Sequence, residues 1–290
     1  MCSIAFINGQ FMTIDKAYVN IEDRGYQFGD GVYEVVYVYE GVPFALEDHL
    51  ERFFNSLNSV KIQTDYTKQD IEQIIYDGLK EANLKYAEIY FQITRGTSRR
   101  THTFPEKVSS NFVLNIQPGV NPPTELWEKG ASVSLAKDIR WSRCDIKSLN
   151  LLPNVLAKQE ARDNGYFESV LYRDGYIIEG SSTNIFIVEN NQIYTYPANS
   201  HILGGITRKH IISLAESINI KVNQIPFTVE QLYHANEVFL TGTYIEVLPV
   251  TKVNSEIINN GLVGPITKKL NEEYKKWINN ECGLSAIKIS

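Results

Sequence analysis

Lys147 lies in a segment whose residue types could support covalent chemistry. Its neighbours Ile146 and Leu149 are apolar, and if they draw the side chain inside, the ammonium loses its hydration at a high cost. Desolvation favours the neutral amine, which is the form that attacks an aldehyde to give a Schiff base. A structural role is the alternative, since a lysine can extend its amine to the surface or pair with Asp145.

Two further segments carry groups that suit a planar anionic ligand. In residues 179–186, Glu179 precedes a glycine and small hydroxyl residues, which would let a planar ligand approach the backbone closely. In residues 203–208, a Gly-Gly pair and Thr207 open a predicted helix, and a helix start of this kind binds anions. Each segment also has a simpler explanation, a polar turn between strands in the first case and an ordinary capped helix in the second.

The three segments together describe one kind of site. A lysine for an aldehyde, a carboxylate for a ring nitrogen and a helix start for a phosphate are the groups that pyridoxal phosphate needs. The chain has no G-x-G-x-x-G motif after a strand and no G-K-[ST] motif, so a dinucleotide or a nucleoside triphosphate is disfavoured.

Alternating strand and helix patterns predict the two blocks that must position these residues. Residues 67–84 have the spacing of an amphipathic helix, residues 88–94 alternate as a strand, and further helices are predicted after Pro153 and from Thr207, whose hydroxyl could cap the helix. Other strands are predicted at residues 35–39, 111–116, 131–136, 169–172, 185–188, 193–196 and 237–240.

A proline-rich stretch, residues 117–123, divides these blocks and predicts a linker. We therefore expect a two-domain α/β enzyme with mixed α+β character. Its parts are an N-terminal α+β domain at 1–117, a linker at 118–124 and a C-terminal α/β domain at 125–290 that carries the lysine.

The composition excludes several classes of protein. The 290 residues contain 28 basic and 34 acidic side chains, a net charge of −6, which gives no electrostatic footprint for nucleic acid or an anionic membrane. Three scattered cysteines rule out a disulfide framework and a Cys-rich zinc module, and no metal site is expected. The first residues lack the order of a signal peptide and no apolar run could span a bilayer. These features predict a cytoplasmic enzyme.

Residues 145–150 resemble the lysine motif of the class IV (fold-type IV) aminotransferases. The stretch from Glu179 to Arg208 is similar to the signature of that class. Within the class, the chain resembles the bacterial D-amino acid (D-alanine) aminotransferases from residue 22 to about Val250. The resemblance implies a two-domain fold of the D-amino acid aminotransferase kind, pyridoxal 5'-phosphate as the cofactor and a homodimer.

The resemblance also implies roles for matching residues. Lys147 would form the Schiff base and move a proton between the substrate Cα and the cofactor C4′, and Glu179 would pair with the pyridine nitrogen. The residues that match the family's phosphate-binding positions are Arg52, Ile206, Thr207 and Thr243. Arg52 has an alternative as a surface arginine that pairs with Asp48 on the same helix.

Tyr33, Arg100 and His102 match the residues with which the family binds the substrate carboxylate. Arg100 and His102 are two positions apart, so in an extended chain they project to one side. In the family this arginine and histidine reach in from the neighbouring subunit, which implies an obligate homodimer. Without the resemblance, Arg100 could be a solvated charge beside Arg99, and a lone histidine is more often structural.

The implied reaction is transfer of an amino group from D-alanine to 2-oxoglutarate, which gives pyruvate and D-glutamate. An L-branched-chain aminotransferase and an aminodeoxychorismate lyase are alternatives on the same scaffold, and the pair Arg100 and His102 points away from both. Arg99, Gly242 and Tyr244 depart from the family pattern, so the shape of the substrate pocket stays open. A non-catalytic binding protein would lack Lys147 or Glu179, and both are present.

Overall fold

The computed structural model describes residues 3–120 and 124–284, and the chain forms two compact units. The first unit comprises Met1–Val120, Ile146–Asn150 and Glu281–Ser290, and the second comprises Asn121–Asp145 and Leu151–Asn280. The domain expected at 125–290 was to include Lys147, but the segment Ile146–Asn150 groups with the first unit. The reason is a set of backbone hydrogen bonds to a strand of that unit, described with the site below.

The first unit is built on an antiparallel sheet with strand order β2-β1-β6-β5-β3-β4. Its strands and helices are, in chain order, β1 (Ile4–Ile7), β2 (Gln10–Thr13), α1 (Arg24–Phe28), β3 (Gly31–Tyr39), β4 (Val42–Pro43), α2 (Leu46–Ser59), α3 (Lys68–Ala82), β5 (Ala87–Thr94) and β6 (Asn111–Pro118).

Strand β5 and helix α3 agree with the patterns in the sequence. Ile89, Phe91 and Ile93 are fully buried, whereas the residues between them are partly exposed, because successive strand side chains point to opposite faces. Helix α3 begins after Thr67, whose hydroxyl accepts a hydrogen bond from the Asp70 N–H in a capping box. The core of this unit lies where the apolar faces of the sheet and the helices meet.

The second unit contains a mixed sheet with strand order β12-β11-β10-β13-β14-β7-β8-β9, and β15 pairs with β14. Its elements are, in chain order, α4 (Thr124–Lys129), β7 (Ala131–Lys137), α5 (Leu152–Asp163), β8 (Glu168–Arg173), β9 (Tyr176–Gly180), β10 (Asn184–Glu189), β11 (Gln192–Thr195), α6 (Ile206–Ser217), β12 (Val222–Asn223), α7 (Val229–His234), β13 (Glu237–Gly242), β14 (Glu246–Val253), β15 (Glu256–Ile257) and α8 (Pro265–Glu281). The pairs β14–β7 and β7–β8 are parallel, and the pairs β13–β14 and β8–β9 are antiparallel.

The predicted start of helix α6 was wrong by one residue. The helix begins at Ile206, and Gly205 is its N-cap, without a side chain to cap it. Thr207 therefore lies inside the first turn, and its hydroxyl accepts a hydrogen bond of 3.4 Å from the Tyr274 hydroxyl. A helix start with no side-chain cap keeps its first N–H groups available for another partner.

The predicted linker also differs at its first residue. Pro118 ends strand β6 and pairs with Ala87. A proline fits there because β1 pairs with β6 only as far as Ile116, so the Pro118 nitrogen faces no second strand. Residues 121–123 of the linker lie outside the described residues.

Within residues 3–120 and 124–284, no helix has both the length and the apolar character that crossing a bilayer requires. In the same ranges, no three metal-binding side chains lie together.

Candidate active site

Lys147 is held at the start of strand β3. The Tyr33 N–H donates to the Lys147 carbonyl at 3.0 Å, and the Leu149 N–H donates to the Gly31 carbonyl at 3.1 Å. The Lys147 N–H donates to Ser56 Oγ at 3.2 Å. These bonds bring two predicted site residues together, since the half-buried Lys147 Nζ lies 4.3 Å from the centroid of the Tyr33 ring.

Arg52 binds a buried carboxylate that sequence reasoning missed. Its Nε and Nη2 donate to the two oxygens of Glu34 at 2.6 and 2.9 Å. His49, three residues before Arg52 on α2, lies 2.8 Å from Glu34 by its Nδ1. A signal for this cluster was present, because Glu34 occupies a buried position in the alternation of β3, between Val32 and Val36.

Burial disfavours the Glu34 carboxylate, yet Arg52 and His49 together hold its pKa well below the usual range. Burial lowers the pKa of His49, and Glu34 opposes this change. The Arg52 guanidinium is therefore held in one orientation by a permanently ionised partner.

Arg100 and His102 lie in a loop and not in a strand, so the expected extended chain is not what brings them together. Both lie beside the Phe28 ring, the Arg100 guanidinium carbon 4.7 Å from its centroid and the His102 ring 5.7 Å from it. Both are exposed. Tyr33 stacks on Tyr90 with 5.6 Å between ring centroids.

In the second unit, the buried Glu179 carboxylate lies near the end of β9. It accepts hydrogen bonds from Arg140 Nη1 at 2.6 Å, Asn184 Nδ2 at 3.0 Å and the Leu203 N–H at 3.1 Å. Burial raises the pKa of Glu179 to about 7, and the Arg140 guanidinium and the Leu203 N–H oppose that rise.

Arg140 is shared between two carboxylates, and sequence reasoning did not single it out for this contact. Its Nε and Nη2 donate to Asp138 at 2.9 and 3.1 Å, and Arg173 donates to the same carboxylate at 3.0 Å. Burial opposes both charges, but the mutual contacts lower the pKa of Asp138 and raise that of Arg140. The spacing Asp-x-Arg after strand β7 was the available signal.

The start of α6 lies against Asn184, which ties it to the Glu179 cluster. Asn184 Nδ2 donates to the Leu203 carbonyl at 2.9 Å as well as to Glu179. A Cβ on Gly205 would overlap the Asn184 Oδ1, so only glycine lets the chain pass this close.

Two buried hydroxyls lie close to this helix start. Those of Thr183 and Thr241 have no hydrogen-bond partner among the described residues. Thr241 pairs with Asn184 across β13 and β10, and Thr243 lies half-buried in the turn that follows β13. A buried carboxylate, an uncapped helix start and two free hydroxyls fit the nitrogen and the phosphate of a pyridoxal phosphate ring.

Residues 31–253 match the model of the amino-transferase class IV family. The chain belongs to the class IV aminotransferases. A D-alanine aminotransferase from Staphylococcus haemolyticus is 40% identical to this aminotransferase over 273 residues, 94% of this chain and 97% of that protein.

Solved structures of related enzymes share this fold. A branched-chain amino acid aminotransferase from T.th., solved with pyridoxamine 5'-phosphate, is 27% identical, with a TM-score of 0.89 over 98% of this chain and 96% of its own. The 4-amino-4-deoxychorismate lyase of Pseudomonas aeruginosa has the same fold, with a TM-score of 0.82 at 23% identity over 95% of this chain and 98% of its own.

The prediction of a fold-type IV aminotransferase with mixed α/β structure is thus confirmed. Enzymes of this class depend on pyridoxal phosphate, so the predicted cofactor is confirmed with the family. The predicted site residues of this aminotransferase divide between the units. Those of the first unit are Tyr33, Arg52, Arg100, His102 and Lys147, and those of the second are Glu179, Ile206, Thr207 and Thr243.

Proposed function

We propose that this aminotransferase moves an amino group from a D-amino acid, D-alanine above all, to a 2-oxo acid such as 2-oxoglutarate. The products are pyruvate and D-glutamate. Pyridoxal 5'-phosphate, when bound, supplies the electron sink that makes the Cα proton of the amino acid acidic. The observation that carries the proposal is the match to D-alanine aminotransferases over nearly the whole of both chains.

Lys147 is the residue that binds the cofactor aldehyde and moves the proton at the substrate Cα. Its backbone is hydrogen-bonded to Tyr33 and to Ser56. The main chain is therefore held, while the four-carbon side chain can carry the amine from one atom to the next. This freedom suits a group that must both bind and transfer a proton.

Glu179 holds the proton on the pyridine nitrogen of the cofactor. A carboxylate performs this task only when it is ionised, and its burial works against ionisation. Arg140, 2.6 Å away, opposes the effect of burial and keeps the negative charge toward the ring.

The phosphate is bound by the first turn of α6 and by charged and hydroxyl groups. Ile206 and Thr207 supply N–H groups at the positive end of the helix dipole. Arg52 supplies a guanidinium whose orientation Glu34 maintains, and Thr243 adds a hydroxyl from its turn.

Tyr33, Arg100 and His102 bind the substrate carboxylate. The proximity of Arg100 and His102 at the Phe28 ring supports this assignment, because a cation and an imidazole close together can share one anion. A branched-chain L-amino acid or aminodeoxychorismate would be the substrate of the alternatives, whose scaffold is the same.

The enzyme acts as a homodimer in the cytoplasm in this proposal. An exposed apolar face on α5 supports the dimer, since Leu152, Val155 and Leu156 lie on one side of that helix. The buried free thiols of Cys144 and Cys282 suit a reducing compartment.

The test follows the absorbance band of the cofactor bound to the protein while D-alanine and L-leucine are added separately. We expect D-alanine alone to bleach the band, and Lys147→Ala to lack both the lysine-dependent band and turnover. Bleaching by L-leucine alone would reject a D-amino acid substrate and favour the branched-chain alternative. Turnover close to the wild-type rate in Lys147→Ala would remove this lysine from the mechanism.

A further inference from the structure

We propose that residues 22–30 are a positioning element for the loop that carries Arg100 and His102. Phe28 acts as a shared platform for the two side chains, and Arg24 anchors the loop backbone. We call residues 95–110 the Arg100 loop. The inference rests on the proposed role of that loop in binding the substrate carboxylate.

Arg24 is buried, with 3% of its surface exposed, and it joins helix α1 to the loop at two points. Its Nη1 donates to the Thr101 carbonyl at 2.7 Å, and its N–H donates to the Gly96 carbonyl at 2.9 Å. Because Thr101 lies between Arg100 and His102, the first bond fixes the backbone from which both side chains extend.

Asp30 holds the guanidiniums of Arg24 and Arg95 together. Arg24 Nε lies 2.7 Å from its carboxylate, and Arg95 donates to it by Nε at 2.9 Å and by Nη2 at 3.0 Å. Burial alone would raise the pKa of Asp30, but Arg95 and Arg24 lower it. Arg95 also donates to the carbonyls of Val60 and Lys61, each at 2.8 Å, so the first residue of the loop is bound to the end of α2.

Asp23 joins the two ends of the loop. Its Oδ2 accepts hydrogen bonds from Thr94 Oγ1 at 2.9 Å and from Asn111 Nδ2 at 2.5 Å. These residues lie directly before and directly after the Arg100 loop. The loop is therefore bound at its start, its middle and its end by one short stretch of chain.

Phe28 lies against three side chains of this network. The guanidinium carbons of Arg24 and Arg100 lie 4.8 and 4.7 Å from its ring centroid, and the His102 ring lies 5.7 Å away. Two guanidiniums repel each other, whereas the face of an aromatic ring attracts both. Phe28 thus keeps Arg100 and His102 beside each other before any substrate carboxylate arrives, which lowers the ordering cost of binding.

The test compares Phe28→Leu, which removes the ring, with Phe28→Tyr, which keeps it. In the holoenzyme we expect Phe28→Leu to raise KM for D-alanine and for 2-oxoglutarate by about 5- to 20-fold, the range of a cation–π contact. The kcat value and the Kd of the cofactor should change by less than about twofold, because the platform acts on substrate binding. Phe28→Tyr should keep the wild-type KM.

Hydrogen exchange supplies a readout that does not depend on turnover. The backbone amides of residues 97–104 should exchange about tenfold faster in Phe28→Leu than in wild type, since the loop opens locally. Phe11→Leu is the matched control, because Phe11 packs on Phe6 in the first unit away from the loop. Arg24→Lys, which keeps the charge but not the two-sided geometry, should reproduce both effects and carries the test if Phe28→Leu does not fold.

Arg100→Ala separates this inference from the proposed function. If Arg100→Ala raises KM while Phe28→Leu and Arg24→Lys leave KM and amide exchange unchanged, the platform is rejected and the carboxylate role stands. If Arg100→Ala leaves KM unchanged, the carboxylate role is rejected and the inference is rejected with it. A rise in KM that Phe28→Tyr shares with Phe28→Leu would also reject the aromatic platform.

Discussion

Two buried glutamates show how the arrangement of partners decides the charge of a side chain. Glu34 has Arg52 on both of its oxygens, and its pKa is lowered despite complete burial. Glu179 shares Arg140 with Asp138, and burial raises its pKa to about 7. The guanidinium that must serve two carboxylates therefore stabilises each of them less than one that serves a single carboxylate.

Glu179 should make the stability of the cofactor-free protein depend on pH. Between pH 4.5 and about 7, the folded protein holds a proton on Glu179 that the unfolded chain has already released. Stability must fall as pH rises through this window, because the folded state binds more protons there. Glu179→Gln has no such proton, so the variant should gain up to about 3 kcal/mol relative to wild type between pH 5 and pH 8.

Urea unfolding of the two cofactor-free proteins at several pH values measures this difference. Glu160→Gln, on the exposed side of α5, is the control and should change stability by less than about 0.5 kcal/mol at each pH. Parallel stability curves for wild type and Glu179→Gln would show that the carboxyl is not protonated in the folded state.

At the scale of elements, the start of α6 depends on the absence of a side chain. Gly205 has φ −64° and ψ 140°, which any residue can adopt, so backbone strain does not explain the glycine. The reason is contact, since a Cβ there would overlap the Asn184 side chain, which donates to Glu179. Gly204 differs, because a Cβ on it would meet no atom within 4 Å.

The adjacent glycines give a matched pair of variants. Gly205→Ala should displace Asn184 and weaken cofactor binding about tenfold, whereas Gly204→Ala should change it by less than about twofold. Fluorescence titration of the cofactor-free proteins with pyridoxal 5'-phosphate measures both values. Equal affinities for the two variants would mean that the helix start does not take part in binding the cofactor.

At the scale of the whole molecule, the apolar face of α5 is the feature that calls for a partner. Leu152, Val155 and Leu156 are 68%, 57% and 56% exposed, and their spacing places them on one side of the helix. An exposed stripe of this kind marks an interaction surface in a protein of ordinary composition.

Leu156→Glu should therefore convert the proposed dimer into a monomer at micromolar concentration, because a charge in an apolar interface loses its hydration. Leu262→Glu is the matched control, since Leu262 is equally exposed, at 67%, but lies outside α5. Light scattering coupled to gel filtration measures the mass of each variant. A wild-type chain that elutes as a monomer, or a Leu156→Glu dimer, would contradict the interface.

Much of the fold and part of the site could be predicted from local patterns. The burial of Ile89, Phe91 and Ile93 follows from alternation, and helix α3 follows from its apolar spacing and its capping box. The end of β6 at Pro118 could not be predicted, because it depends on where the neighbouring strand β1 stops. The N-cap of α6 was misplaced because a threonine in the first turn looks like a cap in sequence.

The sequence by itself determined the family, the cofactor and the residues that match its motifs, because these depend on the order and type of neighbouring residues. Only the tertiary structure decided what those residues contact. Arg52 meets Glu34 from 18 positions away, and Arg140 meets Glu179 from 39 positions away. Lys147 joins the first unit through bonds to β3. Such pairings depend on how distant strands and helices pack together, and local residue patterns contain no measure of that distance.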